Sequence, residues 1–258
     1  MDSFIDDREK YIIHLLELNS RMSISELCHI FNVAPSTMRR QLADMEERGL
    51  LIRTHGGAIS VDHDRDQPVE VKSDINKFYK EEIARVARTC VSDGDTLAIG
   101  GGTTTMEFAR LLHDLKGSIV FTDSIMAANE LMNNKNIEVR ICSGIVKSRS
   151  GCVVGPNTEH FFDSVHVDKA FVGADTVSVD GEAFVTNILV SQVESRMLEC
   201  ADRVFLLCDY SKLGKNDIFL LRRLTAERGD VLITDSYADV RFVGDLRRRG
   251  VTVMMDTE

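Results

Sequence analysis

Two stretches of this sequence carry residue types whose spacing could do chemistry. The first is Pro35-Ser36-Thr37-Met38-Arg39-Arg40-Gln41. A guanidinium pairs bidentately with guanine or clamps a phosphate, a Gln amide suits adenine, and Ser and Thr hydroxyls reach bases or backbone. On one helix such a set can read a DNA groove, whereas a lone Arg-Arg pair would be a solvated face. The second is Gly100-Gly101-Gly102-Thr103-Thr104-Thr105. A glycine turn entering a helix bares backbone N–H groups at the positive end of the helix dipole, and threonine hydroxyls add donors. That chemistry suits phosphate or another anion; the plainer alternative is an unliganded turn. The loop has no Gly-Lys-Ser/Thr, so it is not a nucleoside-triphosphate loop. Thr105 also stands where a dinucleotide fingerprint needs its third glycine.

Other polar residues fall where strands should end. Asp123 follows a strand about twenty residues after the glycine loop, where a ribose diol is held in dinucleotide folds. Thr122-Asp123-Ser124 equally suits a helix cap. Lys147 sits in a glycine-flanked loop, Asp175 follows Phe171-Val172-Gly173-Ala174, and Lys212 follows Asp209-Tyr210-Ser211. In open α/β sheets ligands gather at strand carboxyl ends, so one crevice lined by these donors and acids is expected. Each taken singly could be a surface turn.

The elements that must position these residues form two patterns. In residues 1–60, Ile12, Ile13, Leu15, Leu16 and Leu18 give a first amphipathic helix. Ser23-Ile24-Ser25-Glu26 is a capping box opening a second. Pro35 suits the first turn of a third, with Met38, Leu42 and Met45 on its inner face and Gly49 ending it. Strands at 51–53 and 58–60 flank a turn at Thr54-His55-Gly56-Gly57. Three helices and a hairpin make a winged helix-turn-helix, whose third helix enters the major groove, with Arg53 and His55 on the wing. Residues 61–75, polar around Pro68, read as a linker. From 76 to 258, strand runs at 96–99, 118–122, 138–142, 169–173, 204–208, 231–234 and 252–255 alternate with helical runs at 77–91, 104–112, 125–133, 189–201 and 238–248. That alternation predicts a Rossmann-like α/β domain with a mainly parallel sheet.

Composition bounds the partners. Of 258 residues, 43% are hydrophobic and 28% charged, an ordinary globular balance. A net charge of −10 argues against a general nucleic-acid binder, though a specific one needs only a local positive face. No apolar run of about 18 residues exists, so no membrane span is expected. The acidic start lacks the features of a secretory leader, which points to the cytoplasm. The six cysteines form no Cys-x-x-Cys and read as reduced thiols. The seven histidines show no metal-ligand spacing, and no cofactor motif is complete.

These residues resemble a known family. Val33-Ala34-Pro35-Ser36-Thr37-Met38-Arg39-Arg40-Gln41-Leu42, with Arg53-Thr54-His55-Gly56-Gly57-Ala58, is similar to the DeoR family of bacterial regulators. Gly102-Thr103-Thr104-Thr105, Gly173-Ala174-Asp175 and Ser211-Lys212-x-Gly214 resemble that family's sensor domain, which is related to ribose-phosphate isomerases. The resemblance implies that Gly102, Thr103 and Thr104 hold a phosphate, with Asp175 and Lys212 near sugar hydroxyls. Departures are Ala34 for Ser, Gln41 for Asp, Gly100 for Asp and Asp123 for Asn. Ala34 withholds a helix cap, which Pro35 or Ser36 would replace in part. The helix near Leu189 carries Gln192 and Glu194 where a Glu and a Lys are usual, and Ser178 replaces an acid.

The reading is therefore a DNA-binding regulator, a repressor of a carbohydrate operon, and not an enzyme. Its DNA contacts are Ser36, Thr37, Arg39, Arg40, Gln41, Arg53 and His55. Its effector, a phosphorylated sugar or related metabolite, would meet Gly101, Gly102, Thr103, Thr104, Thr105, Asp123, Ser124, Lys147, Asp175 and Lys212. Its partners would be double-stranded operator DNA and further copies of itself in a dimer or tetramer. The competing readings are a sugar-phosphate isomerase, for which residues 1–60 serve no purpose, and a dinucleotide-dependent redox sensor resting on Asp123.

Overall fold

The computed structural model describes residues 7–19, 21–48, 50–54, 56–60 and 69–256. The chain divides into two compact units, Met1–Asp66 and Gln67–Glu258.

The first unit contains α1 (Asp7–Asn19), β1 (Arg21–Ser23), α2 (Ile24–Phe31), α3 (Pro35–Glu47), β2 (Leu51–Thr54) and β3 (Gly57–Ser60). The capping box forms as expected: Ser23 Oγ accepts from the Glu26 amide at 3.1 Å, and Glu26 Oε2 accepts from the Ser23 amide at 2.7 Å. Asn32 ends α2 in the left-handed region at φ 49°, which Asn tolerates better than most residues. Ile12 and Leu16 of α1, Leu27 of α2 and Met38, Leu42 and Met45 of α3 close a small core with Leu51 and Ala58. The hairpin gains a third strand that the sequence reading lacked: β1 pairs antiparallel with β3, placing Ser23 opposite Gly57. A Cβ at Gly57 would overlap the Met22 carbonyl oxygen. The second glycine of the His-Gly-Gly string is thus needed for backbone approach.

The second unit begins with α4 (Val69–Asp74) and α5 (Lys77–Arg88). There follow β4 (Thr96–Ile99), α6 (Thr103–Arg110), β5 (Ile119–Thr122), α7 (Ile125–Leu131), β6 (Glu138–Ile141), β7 (Ile145–Lys147), β8 (Cys152–Val154) and α8 (Pro156–Asp163). The chain continues with β9 (Val167–Gly173), β10 (Thr176–Val177), β11 (Glu182–Val185), α9 (Ile188–Glu199) and β12 (Ala201–Leu207). It ends with β13 (Phe219–Arg223), β14 (Val231–Ile233), α10 (Val240–Arg248) and β15 (Thr252–Met254). Seven strands form one parallel sheet in the order β15-β14-β12-β9-β4-β5-β6. Alternation with period two sends side chains to two cores. Leu97, Ile99, Phe171, Phe205 and Leu207 pack with α5, α6 and α7, while Ala98, Ala170, Val172, Val204 and Leu206 pack with residues of α8, α9 and α10. The result is the three-layer α/β/α architecture that the strand–helix alternation predicts. The stacked rings of Phe171 and Phe205, 4.6 Å apart, tie the central strands together.

The linker expectation needs correction at its carboxyl end. Residues 69–74 are helical and belong to the second unit, where α4 packs on α6. Gly155, at φ 109°, precedes α8, and Pro156 takes its first turn.

The chain order reverses at β4. Strands β5 and β6 lie to one side of it; β9, β12, β14 and β15 lie to the other. The crevice between the carboxyl ends of β4 and β9 is therefore the topological switch point, the position where open α/β sheets bind ligands.

Candidate functional site

In the first unit the chemistry lies on the outer face of α3. Met38, Leu42 and Met45 face inward with no exposed surface, which turns Ser36, Thr37, Arg39 and Arg40 to solvent. Gln41 is half-buried. Among the described residues neither Arg39 nor Arg40 forms an ion pair. By contrast Arg48 is bound to Glu9 and, at 2.9 Å, to Asp44, fastening the end of α3 to α1. Ala34 offers no side-chain cap, and no Ser36 hydroxyl replaces it; Pro35 alone accommodates the first turn. Arg53 is exposed on the wing, but its amide donates to Glu46 Oε1 at 2.8 Å and its guanidinium stands 3.7 Å from the same carboxylate. His55 lies outside the described residues.

In the second unit the chemistry is buried. The Gly100 amide donates to the Phe171 carbonyl at 2.9 Å, holding the glycine loop against β9. Gly101 is pressed under Cys152, whose Sγ occupies the space a Cβ would need. Gly102 adopts φ 126°, a glycine conformation, immediately before α6. The Thr103 and Thr104 side chains are buried in the first turn. Past β9, Asp175 accepts from the Thr186 amide at 2.9 Å and hydroxyl at 3.0 Å, and Lys72 Nζ stands 3.5 Å away. Burial would push the Asp175 carboxyl up, but Lys72, Lys212 and the Thr186 bonds outweigh it and hold it below the usual carboxylate range. Lys212 Nζ donates to the Ala174 carbonyl at 2.8 Å. Past β12, Asp209 accepts from Ser211 and from Asn76 Nδ2, the latter at 3.0 Å.

Lys80 completes this edge. Its side chain is 3% exposed, and its Nζ donates to the Lys72 carbonyl oxygen. Burial, then the nearby Lys212 and Lys72, bring its ammonium down to about 8, against the opposing pull of Asp209 and Glu107. Three ammonium groups, of Lys72, Lys80 and Lys212, thus stand near one another at the strand ends past β9 and β12. An anion entering there would relieve the repulsion that lowers Lys80.

Comparison with known proteins agrees with both halves. Residues 8–64 match the DeoR-like helix-turn-helix domain, and residues 75–236 match the DeoR C terminal sensor domain. The chain belongs to the DeoR family. It is 31% identical over 249 residues to the HTH-type transcriptional regulator GlpR of Haloferax volcanii, covering 96% of each chain. It is also 31% identical over 232 residues to the transcriptional repressor AccR of Agrobacterium fabrum, covering 89% of each. A solved D-ribose-5-phosphate isomerase overlaps 53% of this chain and 54% of its own at TM-score 0.41 and 18% identity. This DeoR-family chain is accordingly a DNA-binding transcriptional regulator, and its curated relatives carry the names of regulators, not enzymes.

Within the DeoR sensor unit, Gly102, Thr103 and Thr104 follow the carboxyl end of β4, while Asp175 and Lys212 lie past the ends of β9 and β12. Asp123 is fully buried between Gly101 and the Cys142 and Cys152 side, and neither carboxylate oxygen has a hydrogen-bond partner. Burial pushes its carboxyl up to about 7, partly offset by its own amide and that of Gly101, which face it without reaching bonding geometry. A ribose diol would need a carboxylate within reach of a ligand there, and Asp123 has no exposed surface. Ser124 caps α7, accepting from the Ala127 amide at 3.2 Å, and the Thr105 hydroxyl donates back to the Gly102 carbonyl at 3.0 Å. Both are engaged in holding local structure. Lys147 lies in β7, paired with Cys152 of β8. All six cysteines are unbridged, with Cys142, Cys152 and Cys208 buried.

Lys72, Asn76 and Lys80 were missed. Lys72 and part of the corner that holds Asn76 fell in the presumed linker. Lys80 carried a readable signal: with Ile83, Ala84 and Ala87 it lies on the apolar stripe of α5 at i, i+3, i+4 and i+7. A lysine on a buried stripe implies a partner or a ligand. Gly100 also has a local explanation. Glu194 Oε1 would stand 3.1 Å from a Cβ there, so an Asp at that position would crowd a buried carboxylate.

Proposed function

We propose that this DeoR-family regulator represses a carbohydrate-metabolism operon and responds to a phosphorylated sugar or related metabolite. The observation that carries the effector class is the buried Lys80 ammonium beside Lys72 and Lys212, next to the amino end of α6. A phosphate dianion matches that charge, and the N–H groups and hydroxyls at Gly102, Thr103 and Thr104 suit its oxygens. Asp175 supplies a carboxylate acceptor for a sugar hydroxyl close by.

On the DNA side, Ser36, Thr37, Arg39, Arg40 and Gln41 read the operator from the major groove, and Arg53 and His55 approach its backbone from the wing. Repression follows the name of its relative AccR. A symmetric dimer or tetramer would match the repeated half-sites such motifs favour. The cytoplasm is where operator and metabolite meet; no described helix is long and apolar enough to cross a membrane.

The test is to select genomic fragments that bind the full chain, then titrate phosphorylated sugars in a gel-shift assay. A fall in affinity with a phosphosugar, and none with its dephosphorylated form, supports the reading. Fragments whose affinity ignores every phosphosugar overturn it.

A further inference from the structure

The corner between α4 and α5 is tied to the strand ends by polar contacts from three of its residues. Lys72 Nζ stands 3.5 Å from Asp175 Oδ1, just past β9. Asn76, at φ 55°, donates from Nδ2 to Asp209 Oδ1 at 3.0 Å and to Ser211 Oγ at 3.1 Å, just past β12. Lys80 reaches back from α5 to the Lys72 carbonyl oxygen. Among the described residues 72–78 no apolar side chain is buried, and Ile75 and Phe78 are exposed. Residues 72–78 are therefore tied by polar contacts and by the Phe78 ring against Tyr79, without a buried apolar side chain among them, and segments poor in buried apolar contacts sit at the low end of local stability.

Lys72, Lys80 and Lys212 bring three ammonium groups to this edge; Asp175 and Asp209 are the carboxylates bonded to the corner, Asp235 lies beside Asp209, Glu194 lies buried by Gly100, and Glu107 on α6 is paired with Arg110 at 2.8 Å. Lys80 and Lys212 donate to main-chain carbonyls. Lys72 differs because it pairs with a carboxylate, so a competing anion can draw it away. Moving it would leave Asp175, still held by Thr186, available as an acceptor for a hydroxyl of the same ligand. Lys72 also lies on the helix that follows residues 61–68, the stretch of chain leading from the first unit.

We infer that Lys72 is an exchangeable cation, shared between Asp175 and a phosphomonoester bound at the amino end of α6, so that the α4–α5 corner shifts with occupancy and carries the signal toward the preceding unit. This rests on the anion reading of the switch point and adds the residue that couples it. A ligand can shift the protein only through contacts that differ between its two states, and the Lys72 pair is such a contact.

The experiment is hydrogen exchange on the full chain with inorganic phosphate, against chloride at matched ionic strength, with melting temperature recorded in parallel. The expected result is a higher melting temperature together with an altered exchange rate, about tenfold, within residues 69–76. Lys72→Gln should lose the exchange change, and Lys72→Arg should restore it. A melting shift without any change in 69–76 overturns the coupling role while the anion site stands. Neither effect in the wild-type chain overturns both. A Lys72→Gln chain that keeps the full exchange response overturns Lys72 as the carrier.

Discussion

The two units treat charge in opposite ways. On α3 the guanidinium groups of Arg39 and Arg40 stand in solvent with no carboxylate partner among the described residues. At the carboxyl edge of the large sheet, Lys80, Asp123 and Asp209 are buried, and their neighbours shift or satisfy them. A surface that binds a polyanion needs mobile, hydrated cations that can settle on phosphates and base edges, at little cost to folding. A pocket that senses one small anion needs cations already desolvated and aimed, so that an empty site is electrostatically unsatisfied and an occupied one is not.

The same contrast decides what was legible in the sequence. The reading face of α3 lies on one helix, so Ser36 through Gln41 appear as a contiguous string, and the capping box and Pro35 mark its neighbours. The inner strands of the large sheet were visible because β4, β5, β9, β12 and β14 are apolar runs largely buried on both faces, and the edge strands β6 and β15 followed from the same strand–helix alternation. The pieces missed are short or antiparallel: β1, α4, α8, the β7–β8 hairpin and the small β10-β11-β13 sheet. They have too few residues for a period to show. The ligand edge was half legible. Gly102, Thr103 and Thr104 announce themselves as a motif, but Lys72, Lys80, Asp175 and Lys212 meet only through the topology of the sheet. The burial of Asp123 was not legible: its position after β5 matches a ribose-binding acid, whereas burial is a tertiary property.

The largest effect expected tests the exposed side of the contrast. Arg39→Ala with Arg40→Ala should cost about 2–6 kcal/mol of operator binding, from two contacts of about 1–3 kcal/mol each. Melting should be unchanged, because neither side chain is packed. Fluorescence anisotropy on a selected fragment measures the first and calorimetry the second; a large melting loss would break the claim that this face is free.

The buried side is tested next by Asp123→Asn. A carboxyl raised to about 7 in the folded chain binds a proton that the unfolded chain releases near its ordinary value. Its effect is therefore to lower stability as pH rises from about 4 to about 7. The Asn variant should be more stable by on the order of 2–4 kcal/mol at pH 8, with the gain vanishing near pH 4. Urea melts at the two pH values check the sign.

Lys80→Met sharpens the comparison at the ligand edge. Phosphate affinity should fall by roughly ten- to a hundredfold, the range for a charge-assisted bond of about 1.5–3 kcal/mol. In the wild-type chain affinity should weaken as pH rises past about 8, where the free ammonium loses its proton. That limb should be absent from the variant, as calorimetric titration at several pH values would reveal. The smallest effect belongs to Thr103→Val, which should weaken anion binding by about 1 kcal/mol, or roughly fivefold, with operator affinity in the absence of ligand unchanged.

The most direct measurement is operator affinity of the full chain, by anisotropy on a selected fragment, with a phosphorylated sugar and with the same sugar lacking its phosphate. The expected result is a loss of affinity of about tenfold or more with at least one phosphosugar, none with its neutral counterpart, and no loss in the Lys80→Met chain. An operator affinity that responds equally to both forms, or that responds fully without Lys80, contradicts a buried ammonium cluster as the sensor.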